Sequence, residues 1–311
     1  MEIYPDVLSL PEPPLEPVVT MGNFDGVHRG HQSILAKIQS EAERRGAPTM
    51  VLTFHPHPRS VLAPHVRVPQ IMSLRERLRV FWDKGIDHCL VIPFDHDFAE
   101  VTASEFVQEV LWDRLKIRAI YTGDNTSFGH ARSGDVRYLA SEGRRLGFDT
   151  GIVEPVFAGK TRISSTAARE AVASGDMDLA ARLIGRHHLI CGTVVHGDGR
   201  GKTLGVPTAN LFTDGGMLPV SGVYAAWATT EDGVRHQAVV NVGVRPTFDA
   251  DQAVSVEAHL LDFDQDLYDQ ALRLAMVRRI RSEIAFDSVE QLKTQIFRDL
   301  DEGRSILTPA Q

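Results

Sequence analysis

The sequence predicts two domains: an α/β domain with a parallel sheet and helices on both faces, then a small antiparallel β-barrel with a C-terminal helix. Three observations support this. Apolar runs alternate with helical patterns in the first half, strand patterns follow one another from His187, and one amphipathic helix comes last. At 311 residues the chain can form two cores. We therefore place the domains at residues 1–186 and 187–311.

The first half reads as strand, loop and helix in regular alternation. The segment HQSILAKIQSEAERRG carries Ile34, Leu35, Ile38 and Ala42 at helical spacing and ends at Gly46, a residue type common at helix ends. The other predicted elements are the strands PVVTM, TMVLTF, DHCLVIPF, KIRAIYTG and GFDTGIVEPV and the helices SLRERLRVFWDKG and SEFVQEVLWDRL. Strands that alternate with helices in this way are typical of a parallel sheet.

The pattern of predicted secondary structure changes after residue 164. Two short helices separated by Gly175 are predicted first, and strand patterning follows them. The turn Glu231–Gly233 indicates a hairpin between two of these strands. The predicted strands are LICGTVVHG, GVYAAWATT, VRHQAVVNVG, AVSVEAHLLDF and ALRLAMVRRI, and the closing helix is SVEQLKTQIFRDLDEG, with Leu292, Ile296 and Leu300 spaced for one face.

Composition and charge exclude several classes of protein. A net charge of −8 argues against a nucleic-acid binder, which needs a basic face for phosphates. The first residues lack the basic and apolar regions of a signal peptide, and no apolar run approaches a membrane span. Cys89 and Cys191 form neither a disulfide framework nor a zinc pattern. We expect a cytoplasmic protein without membrane or nucleic-acid partners, and the sequence leaves homo-oligomerisation open.

The stretch GNFDGVHRGH, residues 22–31, follows the first of the five predicted strands and leads into a helix. Its three glycines leave the backbone N–H groups at the helix start accessible to a phosphate. His28 and His31, three residues apart, lie on one side of the first helical turn and can donate hydrogen bonds to phosphate oxygens. Two incidental surface histidines are the alternative. The strand, the glycines and Asp25 favour a phosphate site.

This stretch resembles the HxGH motif of the nucleotidyltransferases, and its longer form resembles that of the prokaryotic bifunctional riboflavin kinase/FAD synthetases. The resemblance implies a Rossmann-like nucleotidyltransferase domain that adenylylates FMN. It implies transition-state stabilisation by His28 and His31 and contacts with ATP from Gly22, Asn23, Phe24 and Asp25.

Three further segments resemble landmarks of the same family. RISSTAAR (162–169) is similar to its ISSTxxR motif, which implies that Ser164, Thr166 and Arg169 contact the ATP phosphates; an ordinary helix N-cap is a compatible interpretation. TFHPHPRSVL and GDNTSFGHARSGD match segments that border the flavin and nucleotide sites, and the second of them suggests flavin contacts for Asn125 and Phe128.

The glycine-rich stretch HGDGRGKTLGVPTANL, residues 196–211, holds the second group of candidate residues. A Walker A loop would need glycine at His196 and a helix after the Lys-Thr pair, where Pro207 stands instead. Thr208 and Asn210, two residues apart on extended backbone, point the same way, and their oxygens suit Mg²⁺. A glycine-rich hairpin with polar decoration is the alternative.

Residues 192–211 resemble the hallmark of the riboflavin kinase module, GxVxxGxxRGxxLGxPTANL. The resemblance implies that Thr208 and Asn210 hold Mg-ATP. In AVSVEAHLLDF, alternation places Glu257 on the face opposite Val256, and by resemblance Glu257 is the general base. The remaining residues that the resemblance assigns to ATP or its phosphates are Gly197, Gly201, Lys202 and Pro207.

Together the two resemblances imply an enzyme that phosphorylates riboflavin to FMN and then adenylylates FMN to FAD, with riboflavin, FMN and ATP as small-molecule partners. Two positions depart from the family pattern: Thr126 stands where an aromatic residue is usual, and Asp269 where glycine is common. Thr126 motivates one alternative, a riboflavin kinase with an impaired adenylyltransferase domain. A non-catalytic, flavin-responsive regulatory protein is the other.

Overall fold

A computed structural model describes residues 1–12, 15–66, 68–197, 201, 204–244 and 254–308. The chain divides into two compact units. The first comprises Met1–Val68 and Leu74–Ser164, and the second comprises Pro69–Ser73 and Ser165–Gln311. The predicted domain boundary near residue 186 is a different boundary from the one between these compact units, and it stays a prediction.

The first unit contains a six-stranded parallel sheet. Its spatial order is β1-β4-β3-β2-β5-β8, and every pair of neighbours runs parallel. The strands are β1 (Glu2–Tyr4), β2 (Val18–Met21), β3 (Thr49–His55), β4 (His88–Pro93), β5 (Ala119–Gly123) and β8 (Asp149–Val153), with the short pairs β6 (Ser127–Phe128) with β7 (Gly134–Asp135) and β9 (Phe157–Ala158) with β10 (Thr161–Arg162).

Helices connect these strands, as the alternating pattern predicts. The first of them ends at Gly46 in a left-handed conformation (φ 58°), which glycine adopts without steric cost. The helices are α1 (Arg29–Arg45), α2 (Pro58–Leu62), α3 (Leu74–Asp83), α4 (His96–Glu100), α5 (Ala103–Glu105), which continues as a π-helix over Phe106–Arg114, and α6 (Val136–Leu146). Short 3₁₀ turns cover Val7–Ser9, Asp25–Val27 and His130–Arg132.

The strand order locates the crevice of the parallel sheet. β2 pairs with β3 on one side and β5 on the other, so the chain leaves β2 towards one edge and later returns to the opposite side. In open α/β sheets, ligands bind outside the carboxyl ends of the strands at such a reversal. The loops after β2 and β5 flank this point, and they carry the GNFDGVHRGH and GDNTSFG segments.

The second unit contains a closed six-stranded antiparallel barrel with the order β11-β12-β15-β14-β13-β16. Both halves of the predicted fold class are therefore confirmed. The elements are α7 (Ser165–Ser174), α8 (Met177–Ile184), β11 (His188–Val195), β12 (Ala209–Thr213), β13 (Gly222–Thr229), β14 (Arg235–Val244), β15 (Val254–Leu260), β16 (Ala271–Arg281) and α9 (Val289–Leu307).

Three details differ from the expectations, and the first is the barrel strand β12, which is absent from the predicted strands. The edge strand β1 was not predicted, because three residues are too few to show a pattern. On α9, the predicted apolar stripe is only half-buried, while the carboxylate of Asp299 is buried in an ion pair with Arg281 (2.7 Å). A buried carboxylate is stable there because the guanidinium donates several hydrogen bonds to it.

The buried His188 should make the second unit sensitive to acid. Burial lowers its pKa from 6.5 to about 4, the charge of Arg186 adds to this, and its hydrogen bond to the Met217 carbonyl (2.8 Å) opposes it. Between these values the unfolded chain binds a proton that the folded chain excludes, so stability falls as the pH falls. His188→Gln should lower this loss by about 3 kcal/mol between pH 7 and 4.

The measurement is the free energy of unfolding in urea as a function of pH, followed for wild type, His188→Gln and His65→Gln. Glutamine can still donate to the Met217 carbonyl but takes up no proton. His65 is exposed in the first unit, so its replacement controls for the loss of a histidine as such. Equal pH dependence in wild type and His188→Gln would contradict the assignment.

Candidate active sites

The turn after β2 has an unusual backbone. Phe24 and Val27 are left-handed (φ 49° and 38°), although neither is glycine, and Gly26 is left-handed as well (φ 78°). Such a conformation costs a non-glycine residue roughly 1–3 kcal/mol, so surrounding contacts must hold it. The Phe24 ring is buried in edge-on contact with Phe81 (5.6 Å) and His31 (5.0 Å). The turn is therefore fixed by the packing of its own aromatic residue.

His28 and His31 lie together at the start of α1. Their rings stack with centroids 3.6 Å apart and planes 16° apart. His28 caps the helix, because its Nδ1 accepts a hydrogen bond from the backbone N–H of His31 (3.2 Å). When the His28 ring is neutral, its proton therefore lies on Nε2. Two imidazoles and a helix N-terminus thus converge on one point, as the sequence predicts.

The electrostatic surroundings keep His31 neutral. Dense packing around its half-buried ring lowers its pKa well below 6.5, and the neighbouring His28 and Arg77 lower it further. A neutral imidazole donates a single hydrogen bond to a ligand oxygen and adds no charge of its own. Asp25, also buried, begins the 3₁₀ turn beside this pair.

The other candidate residues of this turn occupy the same loop. Gly22 follows β2 directly, and an added Cβ there would touch the Phe24 ring at 3.4 Å. The Asn23 carbonyl accepts hydrogen bonds from Arg77 and from the Thr53 hydroxyl (3.4 Å). Gly22, Asn23, Phe24 and Asp25 are therefore contiguous with the histidines, and their contacts with ATP stay predictions.

Asn125 and Phe128 lie in the loop after β5. The Asn125 side chain is exposed, and its Oδ1 lies 3.6 Å from where a Cβ on Gly123 would stand. Phe128 is half-buried, with its ring 5.7 Å from Phe106 and 6.2 Å from Tyr138. The parallel order of β2 and β5 brings this loop to the same edge of the sheet as the histidine pair.

The ISSTxxR-like segment spans the division between the units. Ser164 ends the first unit, and α7 begins at Ser165 in the second. Thr166 is exposed and Arg169 half-buried, and their spacing of three places them on one side of α7. A shared phosphate site of these residues with the histidine pair stays a prediction.

In the barrel, strand register brings three polar side chains together. Asn210 on β12 lies opposite Glu257 on β15, and Asn241 on β14 lies opposite the same Glu257 from the other side. Directly opposite residues share a face of the sheet, with Cβ atoms about 5 Å apart. The neighbours Val256 and Ala258 are buried inside the barrel, so Glu257 lies on its outer face, as the alternation predicts.

The segment before β12 lies close to the same outer face of the barrel. Thr208 directly precedes the strand, and the carbonyl of Pro207 accepts a hydrogen bond from His259 Nδ1 (2.6 Å). A Cβ at Gly201 would lie 3.1 Å from the Thr208 hydroxyl, and one at Gly197 would overlap the Asn210 amide. These glycines therefore lie against the predicted metal ligands.

Lys202 and Asp269 are two further positions of interest in the second unit. Lys202 lies outside the described residues, so its predicted phosphate contact is untested. Asp269, where the family commonly has glycine, is left-handed (φ 62°), a conformation that aspartate tolerates better than most residues. The loop thus keeps the backbone that glycine would adopt.

Sequence reasoning missed Arg77 and Asn241. Arg77 is separated from its acceptor Asn23 by 54 positions, and nothing in its own helix marks it as part of the turn. Asn241 stands in the predicted strand VRHQAVVNVG as a polar residue between two valines, which was the available signal. Its place beside Glu257 depends on the register of β14 and β15.

Known proteins match both units. A family model described as FAD synthetase matches residues 11–167, and one described as riboflavin kinase matches residues 184–307. Proteins named bifunctional riboflavin kinase/FMN adenylyltransferase from Escherichia coli K12 and Pseudomonas fluorescens are both 39% identical to this chain. The alignments cover 96% and 94%, respectively, of both partners.

A solved structure of a Streptococcus pneumoniae chain, described as a macrolide-efflux protein, is similar with a TM-score of 0.89 and 30% identity. It covers 98% of this chain and 99% of its own. In the residues that the structure describes here, no helix is both long and apolar enough to cross a membrane.

The parallel-sheet unit with its HxGH turn and the barrel with its PTAN strand define a two-module transferase of phosphorus-containing groups. The predicted resemblance is confirmed over nearly the whole length. This chain belongs to the family of bifunctional riboflavin kinase/FMN adenylyltransferases, enzymes of flavin cofactor synthesis.

Proposed function

We propose that the first unit joins FMN to AMP at the histidine pair. An FMN phosphate oxygen attacks the α-phosphorus of ATP, the bond to the β-phosphate breaks, and pyrophosphate leaves. The observation that carries this proposal is the stacked pair His28 and His31 at the N-terminus of α1. Hydrogen bonds from the imidazoles and the helix N-terminus stabilise the negative charge that grows on the phosphorus oxygens.

The flavin ring has a suitable surface at the same edge of the sheet. A row of aromatic rings lies there with neighbouring centroids 5.7–6.3 Å apart, and all are half-buried except the buried Phe106; the others are Phe54, Phe94, Phe98 and Phe128. Phe54 is the penultimate residue of β3 and Phe94 follows β4, so both lie near the carboxyl ends of strands, as Phe128 does after β5. An apolar planar ring gains by packing on such residues. We assign the isoalloxazine to this cluster, with Asn125 as a polar neighbour.

The second unit, in this proposal, phosphorylates riboflavin on the outer face of the barrel. Glu257 accepts the proton of the attacking riboflavin hydroxyl, the oxygen bonds to the γ-phosphorus, and ADP leaves. The row Asn210, Glu257 and Asn241 supports this, because it surrounds the carboxylate with amides on both neighbouring strands. Gly197, Gly201 and Pro207 lie next to the row, where the ATP phosphates would bind.

Mg²⁺ fits the residues of this unit. The Thr208 hydroxyl and the Asn210 side-chain amide oxygen are hard donors, and the absence of a Cβ at Gly197 lets the Asn210 amide pack directly against the backbone there. Thr208 and Asn210 would hold the ion. When bound, it would neutralise charge on the ATP phosphates. The protein's own part is to orient these oxygens and the Glu257 carboxylate on one face.

Gly197→Ala should therefore lower riboflavin phosphorylation by roughly tenfold, because the new methyl group displaces the Asn210 amide. FMN adenylylation should stay unchanged when FMN is supplied. Initial rates of both reactions, measured on the same preparation at several Mg²⁺ concentrations, check this. The kinase defect should shrink as the Mg²⁺ concentration rises. An unaltered Mg²⁺ dependence would contradict the assignment of Asn210 to the metal.

Incubation with riboflavin, ATP and Mg²⁺, followed by chromatography of the flavins, tests the two-step function. FAD is the expected product, with FMN as a transient intermediate. Accumulation of FMN alone would favour the alternative suggested by Thr126, a kinase with an impaired adenylyltransferase. Unchanged riboflavin would favour a regulatory protein that binds flavin without turnover. The cytoplasmic location stays a prediction, and homo-oligomerisation stays open.

A further inference from the structure

Arg77 is a buried cation behind the histidine pair. Its side chain on α3 is 2% exposed, and a single nitrogen, Nη1, donates both to the Asn23 carbonyl and to the Thr53 hydroxyl (3.2 Å). Its Nε and Nη2 have no hydrogen-bond partner in the part of the chain that the structure describes. Burying such a group is costly, and an apolar side chain of similar size would serve packing better. Packing alone therefore does not explain an arginine here.

The residues that Arg77 contacts belong to the strained turn. The Asn23 carbonyl immediately precedes Phe24, the first left-handed non-glycine residue. Four positions after Arg77, on the same face of α3, Phe81 contacts the Phe24 ring. One helix thus holds this turn twice, by a hydrogen bond to its backbone and by a contact with its aromatic ring.

The charge of Arg77 also acts on His31 of the histidine pair. Burial lowers the pKa of His31 most, and the charges of His28 and then Arg77 lower it further; burial also lowers the pKa of His55, and Arg77 adds to that effect. Burial lowers the pKa of Arg77 itself, while Asp25 and Cys89 raise it. The titratable groups that act on His31 are His28 on its own helix and Arg77 on α3, and Asp25 in the 3₁₀ turn acts in turn on Arg77.

We propose that Arg77 is a positioning residue for adenylyl transfer. It fixes the Asn23 carbonyl, and through that carbonyl it fixes the turn that carries Phe24. The position of this turn then sets the position of the His31 imidazole. Arg77 touches neither the phosphates nor the flavin in this account. The inference rests on the proposed role of the histidine pair. It adds that a residue of α3, outside every motif of the site, sets where His31 stands and which protonation state it keeps.

Three substitutions separate the effect of the Arg77 hydrogen bonds on the turn from the effect of the Arg77 charge on His31. Arg77→Lys keeps a charge and a donor, and one ammonium can replace the single nitrogen that makes both hydrogen bonds. Arg77→Gln keeps a donor without the charge, and Arg77→Met keeps neither. We expect kcat/KM for FMN adenylylation to fall about a hundredfold in Arg77→Met and less than about tenfold in Arg77→Lys.

The decisive measurement is the pH dependence of the adenylylation rate, because a loss of packing alone would not change it. Without the cation, the pKa of His31 rises, so the acidic limb of the profile should shift to higher pH in Arg77→Gln and Arg77→Met. In Arg77→Lys it should stay in place. Circular dichroism and thermal unfolding identify the variants that fold. If Arg77→Met does not, the comparison of the lysine and glutamine variants decides.

An acidic limb that stays in place in a folded Arg77→Gln, or equal losses in the lysine and methionine variants, would overturn the inference. His31→Ala is measured in parallel to keep the two proposals apart. If His31→Ala retains full adenylylation, the proposed site is wrong. If it loses activity while all Arg77 variants keep theirs, only the role of Arg77 is wrong.

Discussion

Replacing His28 with alanine should lower FMN adenylylation by about a hundredfold or more, while riboflavin phosphorylation stays nearly unchanged. The ring of His28 stacks on His31 at the start of α1, and its Nδ1 is engaged by the backbone N–H of His31. In the proposed mechanism, Nε2 donates to a phosphate oxygen as charge grows there. Loss of one such donor in an enzyme typically costs two to three orders of magnitude in rate.

Alanine also removes the cap of α1, which alone can destabilise the first unit by roughly 0.5–2 kcal/mol. His28→Asn separates the two effects, because asparagine is a good capping residue but lacks the imidazole. Both variants should lose adenylylation to a similar extent, and only His28→Ala should unfold at lower temperature. Rates with supplied FMN and ATP, compared with the exposed-site variant His65→Ala, measure this. Recovery of activity in His28→Asn would show that the cap, not the imidazole, matters.

The second large effect is expected at Glu257. Glu257→Ala should lower riboflavin phosphorylation by roughly 10²–10⁴-fold, the range of general-base catalysis, and leave FMN adenylylation intact. Glu257→Gln should lose as much, although it keeps the shape of the side chain beside Asn210 and Asn241. If Glu257→Gln loses as much phosphorylation activity as Glu257→Ala, the role of Glu257 is proton transfer and not packing. KM for riboflavin should change much less than kcat.

The matched control is Glu231→Gln, an exposed glutamate in the hairpin turn between β13 and β14 of the same unit. It should behave as wild type in both reactions. Substantial phosphorylation by Glu257→Gln would remove the carboxylate from the role of base. Parallel loss of both activities in a folded His28 or Glu257 variant would show that the two sites depend on each other, against the two-site account.

Much of the candidate sites could be predicted because their residues are contiguous. GNFDGVHRGH holds a strand end, a tight turn and a helix cap within ten residues, so its local chemistry is visible without a fold. The same applies to PTAN, where spacing alone orients Thr208 and Asn210. Alternation also places Glu257 on the face opposite the buried Val256, and the structure confirms it.

Other parts of the sites depend on distant pairings. The phenylalanine cluster joins Phe54 near the end of β3 and Phe94 after β4 to Phe128 after β5 through the rings of Phe98 and Phe106, and these contacts depend on the fold of the whole unit. Apolar periodicity marks such residues as core, and it does not distinguish a filled core from a surface that receives a ligand. In the sequence, the proposed flavin surface was therefore indicated only by Asn125, Phe128 and the TFHPHPRSVL segment that contains Phe54.

By itself, the sequence determined the two-module architecture and the position of the histidine pair, because short-range spacing encodes both, whereas the role of Glu257 as general base comes from the family resemblance and stays a prediction. Only the tertiary structure decided that Asn241 stands beside Glu257 and that Arg77 holds the Asn23 turn. Both depend on contacts between elements far apart in the chain. The packing of the whole unit determines the strand register and the burial of a charge against a distant carbonyl. Local periodicity in the sequence does not predict either feature.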